Sequence, residues 1–304
     1  MLLKNEKKNI LIHIYVLICG KHIYNRFLKG KYDIDIAFLE GPITRIFGYS
    51  GNKRKIAWIH NDISQVFGND FKAKIKKYVD KWFYKKYDKI IFVSLQNKKK
   101  FEETYGNISQ RKIIYNYINK DRIINLSNEN VQLLRKKTKK IIIVVSRLVK
   151  QKAIDRLIRI HKKLIDNGLQ HNIYIIGEGE ERETLQNLCE DLSVEDTFIF
   201  LGKKNNPYPY MKNADYLALL SYFEGYGMVL EEAKILNKPI LVTNTAAKEA
   251  VIDYDKKIII ENNEHAIFYE MSNVLKGKYI FLDKENSGYN YDNKYLVEQI
   301  KNIL

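Results

Sequence analysis

Short apolar runs alternate with longer amphipathic stretches from about residue 30 onward. In the first half, the runs that we predict as strands are Asp35–Leu39, Lys55–His60, Lys89–Ser94 and Lys112–Tyr115. The polar, lysine-rich stretches between them, such as Asp70–Lys86, have the period of helices. This alternation is typical of an α/β fold, in which helices cover both faces of a parallel sheet.

A second series of the same kind begins at Lys140. Its predicted strands are Ile141–Val145, Asn172–Ile176, Thr197–Phe200, Tyr216–Leu220, Pro239–Val242 and Lys257–Ile260, and its predicted helices include Ala153–Asn167 and Glu180–Leu192. Between the two series, the segment 116–139 is charged and has little β signal, so we place the domain connection there. We predict a Rossmann-like domain over residues 1–125, a second over 138–283, and a C-terminal helix over 284–304 that packs back toward the first domain.

The apolar run Ile10–Cys19 is far shorter than the roughly 20 residues that a membrane-spanning helix needs. No small-residue cleavage site follows it, as would be expected after a signal peptide. We therefore predict a core element, without deciding between helix and strand.

The net charge of +16, from 52 Lys and Arg against 36 Asp and Glu, favours anionic partners. A compositional drift toward Lys, Asn, Ile and Tyr explains the same excess. No basic block is interleaved with exposed aromatics, so we do not expect a nucleic-acid partner. The two cysteines lack the spacing of a zinc site or a disulfide framework, which fits a reducing compartment.

The segment Ser221–Ala233 carries the strongest chemical signal. Glu224 and Glu232 are separated by seven residues, and Gly225 and Gly227 allow a tight turn between them. We predict a strand ending near Ser221 and a helix beginning near Met228, whose free N–H groups and positive dipole end suit a diphosphate. Paired glutamates at a helix start are also ordinary capping chemistry, but the Gly-Tyr-Gly turn and the Lys-Pro strand that follows favour a site. We predict that the neighbouring Glu231 is solvated.

This segment resembles the Glu-x7-Glu motif of glycosyltransferase family 4, down to the trailing Glu-Ala and Lys-Pro. The resemblance implies that Glu224 contacts the transferred sugar and Glu232 the ribose. It also implies that the donor-binding loop contains Gly225, Tyr226, Gly227 and Met228.

The segment Val145–Lys152 looks like the Gly-Arg-Leu-x-x-x-Lys-Gly element of the same family. In that element, Arg147 and Lys152 would neutralise the donor diphosphate, so that no metal is needed to stabilise the leaving group. Ser146 and Ala153 replace the two glycines of the family pattern, and both are small. A basic pair at a strand end is otherwise more often an ordinary surface feature.

Two further segments resemble family elements. Gly177 and Gly179 lack the third glycine of a dinucleotide fingerprint, so we interpret them as turn residues near the donor pocket. Gly202 would lie along the nucleotide base, mainly through backbone contacts.

His60 ends a predicted strand, at the edge where α/β proteins bind ligands. The family commonly has a histidine at this point, facing the donor phosphates and the acceptor, so His60 is our candidate in the first half. The sequence contains two Asp-x-Asp runs, Asp33–Asp35 and Asp253–Asp255. We interpret the first as the polar side of a strand and the second as a turn, and neither as a metal site.

The resemblance covers residues 32–283 and implies the GT-B fold, in which two Rossmann-like domains face each other across a cleft. The glycine-rich opening of the family is missing, so the N-terminal domain looks shortened. The implied activity is a retaining, metal-independent transfer from a nucleotide sugar, without cofactor, to a glycan or lipid-linked acceptor in capsule or lipopolysaccharide assembly. We expect a cytoplasmic enzyme, attached to the anionic inner face of the membrane. A weakly active nucleotide-sugar binding module and a GT-B nucleotide-sugar epimerase are the alternatives, and a basic nucleic-acid binder is a distant one.

Overall fold

The structure is a computed structural model that describes residues 2–61, 63, 71–131, 140–281 and 293–303. It divides into two compact units. Unit 1 contains Met1–Asn116 and Lys294–Leu304, and unit 2 contains Tyr117–Asn293. Part of the predicted domain connection, residues 132–139, and residues 284–292 of the predicted C-terminal segment lie outside the described residues.

Unit 1 has a four-stranded parallel sheet in the order β1-β2-β3-β4. Its strands are β1 (Asp35–Ala37), β2 (Lys55–Ile59), β3 (Lys89–Phe92) and β4 (Gln110–Ile113), and its first helices are α1 (Leu2–Phe27), α2 (Pro42–Phe47), α3 (Phe71–Tyr84) and α4 (Leu95–Tyr105). The four predicted strands are confirmed to within two residues at each end. Apolar side chains of β2, β3 and α4 form the core of the unit.

The run Ile10–Cys19 belongs to α1, and its prediction as a core element is only partly right. Val16 is buried, whereas Tyr15, Leu17 and Ile18 are exposed. A helix that packs on one side of a sheet buries only one stripe, so an apolar run of ten residues leaves part of itself in water.

The interpretation of Asp35 as a solvent-facing residue is wrong. Its side chain is buried, and Oδ2 accepts hydrogen bonds from the Tyr24 hydroxyl of α1 at 2.6 Å, from Ser50 Oγ, and from Asn52 Nδ2 at 3.1 Å. Three donors replace water around the carboxylate, which makes burial tolerable. Asp35 therefore anchors α1 to the start of β1.

Unit 2 has a six-stranded parallel sheet in the order β10-β9-β8-β5-β6-β7. The strands are β5 (Lys140–Val145), β6 (His171–Ile176), β7 (Phe198–Gly202), β8 (Tyr216–Leu219), β9 (Ile240–Thr243) and β10 (Lys257–Ile260). The helices are α5 (Lys120–Leu126), α6 (Ile154–Asp166), α7 (Arg182–Asp191), α8 (Tyr208–Asn213), α9 (Met228–Ile235) and α10 (Glu264–Leu275). The last helix, α11 (Asn293–Lys301), follows unit 2 in the chain but belongs almost wholly to unit 1. All six predicted strands are confirmed. Two 3-10 helices, Lys150–Lys152 and Ala246–Val251, complete the described elements.

The chain order reverses at β5, which pairs with β6 on one side and with β8 on the other. In open parallel sheets, ligands bind beyond the carboxyl ends of the strands at such a reversal. The fold therefore points to the loops after β5 and β8. Among the described residues, no helix is both long and apolar enough to cross a bilayer.

Candidate functional site

Two loops meet at the carboxyl edge of the unit 2 sheet. One follows β5, which ends at Val145, and the other follows β8, which ends at Leu219. The strands are neighbours, although Lys152 of the first motif and Glu224 of the second are 72 positions apart in the chain. The two segments that the sequence analysis singled out are thus brought side by side at the reversal of strand order.

An ion pair joins the loops. Nζ of Lys152 lies 2.5 Å from Oε1 of Glu224, and the same oxygen accepts a hydrogen bond from Ser221 Oγ at 2.6 Å. Glu224 is only 6% exposed. A buried carboxylate needs such partners, because its desolvation is otherwise costly. The carboxylate is consequently held in one position at the strand edge.

Gln151, which the sequence analysis missed, clamps the same loops. Its side-chain amide donates to the carbonyl of Phe223 at 2.9 Å, and its own carbonyl accepts from the backbone N–H of Tyr222 at 3.0 Å. Nothing in the sequence separates Gln151 from the polar residues beside it. Its role follows only from the contact with a loop that is distant along the chain.

Arg147 is exposed, and among the described residues its guanidinium forms no ion pair or hydrogen bond. The backbone on both sides of it is fixed by two backbone hydrogen bonds. The N–H of Ser146 donates to the carbonyl oxygen of Ile176, and the N–H of Leu148 donates to the carbonyl oxygen of Glu178. This loop therefore presents a cation on a rigid backbone, next to the segment that contains the glycines after β6.

Gly177 and Gly179 allow that close approach. A Cβ on Gly177 would lie 1.8 Å from the carbonyl oxygen of Ser146, and one on Gly179 would lie 2.2 Å from that of Leu148. Gly177 also has φ +153°, which side chains rarely adopt. Its N–H donates to the carbonyl of Gly202, which itself has φ +72°. The two predicted donor-site glycines, Gly177 and Gly202, thus form one backbone arrangement.

Ala153 follows the 3-10 helix in the left-handed conformation, with φ 52° and ψ 38°. The family pattern has glycine here, and alanine in this conformation costs about 1–2 kcal/mol. The substitution is therefore less harmless to the backbone than the small size of alanine suggests.

The loop before α9 has the predicted turn. Gly227 is the N-cap with φ 75° and ψ 69°, and the helix begins at Met228 as predicted. Gly225 is buried and has no positive φ. The N-terminus of α9 therefore follows directly from the loop that contains Glu224.

The prediction that Glu231 is solvated is wrong. Glu231 is buried, accepts a hydrogen bond from the Tyr226 hydroxyl at 2.6 Å and pairs with Nζ of Lys234 at 2.8 Å. Lys234 also donates to the carbonyl of Ala250. Glu231 and Glu232 are adjacent in α9 and therefore lie on different sides of the helix. The side chain of Glu231 is inside the unit, where Tyr226 and Lys234 compensate its charge.

Glu232 is half-buried, and Oε1 accepts from the Tyr208 hydroxyl of α8 at 3.3 Å. Burial raises the pKa of Glu232, and burial together with Glu232 raises the pKa of Tyr208 to about 12. Tyr208 was not among the predicted site residues, because it lies in a Pro-Tyr-Pro-Tyr stretch with no distinguishing spacing. Tyr208 fixes one carboxylate oxygen of Glu232.

His60 lies in unit 1, directly after β2. Its backbone N–H and that of Asn61 both donate to Oε1 of Glu40, and its ring lies 4.6 Å from that of Phe38. Burial lowers the pKa of His60, so the imidazole is neutral at neutral pH. Its Nε2 is buried without a hydrogen-bond partner among the described residues.

No group of three or more His, Cys, Asp and Glu side chains that could hold a metal ion is found in the described ranges. The two Asp-x-Asp runs differ in their surroundings. The side chain of Asp35 is buried and hydrogen-bonded within unit 1, whereas Asp253 and Asp255 are exposed. Metal independence stays a prediction.

Comparison with known proteins identifies the family. Residues 127–286, more than half of the chain, match the family described as "Glycosyl transferases group 1". The chain belongs to the group 1 glycosyl transferases.

Relatives of this group 1 glycosyl transferase include an uncharacterized glycosyltransferase of Methanocaldococcus jannaschii, 29% identical over 206 residues, which cover 66% of this chain and 51% of the relative. Another is the N-acetylgalactosamine-N,N'-diacetylbacillosaminyl-diphospho-undecaprenol 4-alpha-N-acetylgalactosaminyltransferase of Campylobacter jejuni, 28% identical over 308 residues, covering 91% of this chain and 81% of the relative. A TarM variant of S. aureus, solved with fondaparinux, alpha-GlcNAc-glycerol and UDP, has a TM-score of 0.69 at 18% identity and covers 93% of this chain and 58% of its own.

The likeness to TarM and the two parallel sheets confirm the predicted α/β fold of the GT-B class. The chain spans about half the length of the archaeal relative and 58% of the TarM chain. Every predicted site residue of unit 2 lies inside the region that matches the family. His60 lies outside it.

Proposed function

We propose that this glycosyl transferase moves a sugar from a nucleotide diphosphate donor to a glycan or lipid-linked acceptor in the assembly of a cell-surface polysaccharide or glycolipid. The observation that carries the proposal is the junction of Lys152, Glu224 and Ser221 at the reversal of strand order, with Arg147 in the same loop. It combines cations for a diphosphate with a fixed carboxylate for a sugar hydroxyl. The Campylobacter relative is an N-acetylgalactosaminyltransferase and the TarM complex contains alpha-GlcNAc-glycerol and UDP, which supports a UDP-N-acetylhexosamine as the first donor to test.

Each side chain has a proposed task. Arg147 and Lys152 bind the diphosphate, together with the N-terminus of α9. Glu232 accepts hydrogen bonds from the ribose hydroxyls, and Glu224 orients the transferred sugar. Stabilising the leaving diphosphate with fixed charges lowers the barrier without any reorganisation during the reaction.

The proposed step retains the anomeric configuration. The bond between C1 of the sugar and the diphosphate oxygen breaks, and the acceptor oxygen bonds to C1 on the same face. The acceptor proton passes to the departing phosphate oxygen, which balances the step without an enzyme nucleophile. His60 stays a predicted residue of the acceptor side.

The direct test is a panel of nucleotide sugars, with binding measured by calorimetry and turnover measured as release of the nucleoside diphosphate. An α-linked product from an α-linked donor, identified by NMR, would support retention. An epimerised free sugar released together with the nucleoside diphosphate, or an epimerised donor, would instead support the epimerase alternative. Donor binding without any product across lipid-linked and glycan acceptors would support the binding module.

Glu232→Gln is expected to weaken donor binding by about 10- to 100-fold, the cost of losing a hydrogen bond to a charged group, with kcat nearly unchanged. Ribose contacts are made equally in the ground state and the transition state. Because burial raises the pKa of Glu232, wild-type affinity should also fall as the pH drops through a value above 4.5, where the carboxylate is protonated. The variant should lack that dependence.

Glu195→Gln changes an exposed glutamate of the same unit and is the control. It should leave the dissociation constant of the donor and kcat unchanged. The role of Glu232 is wrong if its variant binds donor normally, or if the variant keeps the pH dependence.

Transfer is expected to survive chelation, because Arg147 and Lys152 supply the positive charge that a divalent ion supplies in other enzymes. The measurement is initial rate with and without EDTA, after dialysis. Loss of transfer in EDTA that manganese restores would falsify metal independence, whereas loss that no ion restores would indicate an effect of the chelator.

We also propose a cytoplasmic location with peripheral attachment to the inner face of the membrane. Nucleotide sugars are cytosolic, and the net charge of +16 favours an anionic surface.

A further inference from the structure

The excess positive charge of the chain is confined to one unit. Unit 1 contains 26 Lys and Arg against 11 Asp and Glu, a net charge of +15, whereas unit 2 contains 26 against 25, a net charge of +1. A general drift toward lysine would not produce this division, because the two units have equal numbers of basic residues. They differ in acidic residues, which are scarce in unit 1.

Helix α3 of unit 1 has an apolar stripe on its outer side. Ile75, Tyr78 and Trp82 are spaced three and four residues apart and are 51%, 76% and 49% exposed. The buried side chains Asp80, Phe83 and Tyr84 occupy the opposite side of the helix. The helix therefore has apolar side chains on its buried side and a second apolar stripe that faces solvent. Packing within the unit requires only the buried side to be apolar.

Lysines flank that stripe. Lys74, Lys81 and Lys85 follow one another at seven and four residues, which places them in a row beside it. Lys86, just after the helix, lies with Nζ 3.3 Å from the centre of the Trp82 ring. Basic residues beside tryptophan, tyrosine and isoleucine on one helix are typical of helices that lie in a membrane interface.

Helix α1 continues this surface. The Tyr49 hydroxyl donates to the carbonyl of Leu17 in α1, and Nζ of Lys86, which lies over the Trp82 ring, is also 5.3 Å from the centre of the Tyr49 ring. Burial lowers the pKa of Lys86, and the nearby charges of Lys55 and then of Lys21 in α1 lower it further. The exposed side chain of Ile18 adds an apolar group to the part of unit 1 where α1 and α3 are linked.

We propose that this surface, formed by Ile75, Tyr78 and Trp82 with the lysines beside them and the exposed part of α1, binds an anionic lipid bilayer by inserting its apolar side chains among the headgroups. The inference extends the proposed peripheral attachment by naming the residues, and it does not depend on the sugar donor. The lysines supply attraction to the surface charge, and the apolar stripe supplies a component of binding that salt does not screen.

A nucleic acid is the competing polyanion. The expectation that no basic block is interleaved with exposed aromatics is wrong, because α3 is such a block. However, the stripe also contains aliphatic groups, Ile75 and Ile18, which do not stack on bases as aromatic rings do. Exposed aliphatic and aromatic groups together on one helix fit the acyl boundary of a bilayer better than they fit a single-stranded nucleic acid.

The test uses the full chain and vesicles of phosphatidylglycerol and phosphatidylcholine, compared with phosphatidylcholine alone, in flotation at low and high salt. We expect binding only to the anionic vesicles, weakened but not abolished by salt. The double variant Ile75→Ser with Tyr78→Ser should remove the salt-resistant part. The single variants Lys74→Gln and Lys85→Gln each neutralise one lysine, and each should weaken binding to the anionic vesicles about fivefold.

Matched controls lie in unit 2. Ile252 and Tyr269 are exposed to a similar extent, 57% and 55%, so Ile252→Ser with Tyr269→Ser should leave vesicle binding unchanged. Lys276→Gln with Lys278→Gln controls for charge in the same way. Donor binding by calorimetry should be normal in all of these variants, which separates failure of this surface from failure of the proposed activity.

Fluorescence gives an independent readout, because the chain has two tryptophans and Trp58 is buried. In a Trp58→Phe variant, the emission of Trp82 should shift to the blue on anionic vesicles and be quenched by brominated lipid. Unchanged Trp82 emission in the vesicle-bound protein, or equal binding by the Ile75 and Tyr78 variant, would overturn the proposal. So would binding to single-stranded nucleic acid without binding to the vesicles.

Discussion

Replacing Glu224 by glutamine is expected to lower kcat for sugar transfer by about 10²- to 10³-fold, the effect of removing one preorganised polar contact to a transition state. Donor affinity should change by less than about threefold, because Arg147, Lys152 and the nucleotide contacts remain. The two constants are separated by measuring turnover as release of the nucleoside diphosphate and binding by calorimetry.

The geometry explains the size of this effect. Oε1 of Glu224 is occupied by Lys152 and Ser221, and no described residue donates to Oε2, which is therefore the oxygen available to a sugar hydroxyl. Glutamine has the same shape but no negative charge, so the variant tests the charge and not the packing. The pair with Lys152 also means that the loss of charge in Glu224→Gln leaves a lysine free to bind phosphate.

Ser221→Ala is the companion variant. It removes a hydrogen bond to the charged carboxylate of Glu224, which is worth about 1.5–3 kcal/mol. It should reduce kcat by less than Glu224→Gln does, because Lys152 still holds the same oxygen. If Glu224→Gln raised only the KM for donor and left kcat unchanged, Glu224 would be a binding residue and its proposed task would be wrong.

Gly177→Ala is expected to destabilise unit 2 by more than about 3 kcal/mol and to abolish donor binding. A Cβ would lie 1.8 Å from the carbonyl oxygen of Ser146, which is backbone and cannot rotate away. Either β6 or the loop that contains Arg147 must shift. The measurements are chemical denaturation followed by far-UV circular dichroism, and calorimetry with the donor.

Gly277→Ala provides the control, because Gly277 has φ +72° but no atom within 4 Å of the added Cβ. Its cost should be only that of the left-handed conformation, about 1–2 kcal/mol, with normal donor binding. Equal losses of stability in the two variants would show that conformation, and not the contact with Ser146, requires glycine at position 177.

Much of the fold could be predicted from the sequence, because parallel strands buried on both faces are continuous apolar runs. The runs at Ile141–Val145 and Lys257–Ile260 coincide with β5 and β10 almost residue for residue. The α9 start was equally predictable, because Gly227 is suited to the left-handed N-cap that precedes Met228. Family resemblance, and not periodicity, supplied the roles assigned to Glu224 and Arg147.

Side-chain pairing between distant segments was not predictable in the same way. The order β8-β5-β6 places residue 152 beside residue 224, and only then does Lys152 become the partner of Glu224. Glu231 and Asp35 were both misjudged for one reason. A charged residue in a sequence suggests solvent, and the donors that make burial tolerable, Tyr226 and Lys234 for the first and Tyr24 and Ser50 for the second, are known only once the chain is folded.

The sequence by itself determined the α/β class, the strands of both units and the segments that carry the donor chemistry, because backbone periodicity and local turns depend on neighbouring residues. The tertiary structure alone decided which of those segments meet, which carboxylates are buried, and that Gln151 and Tyr208 belong to the site. It also decided where the excess positive charge and the apolar stripe of α3 lie together on unit 1. These are properties of surfaces and contacts, which arise when residues far apart in the chain become neighbours in space.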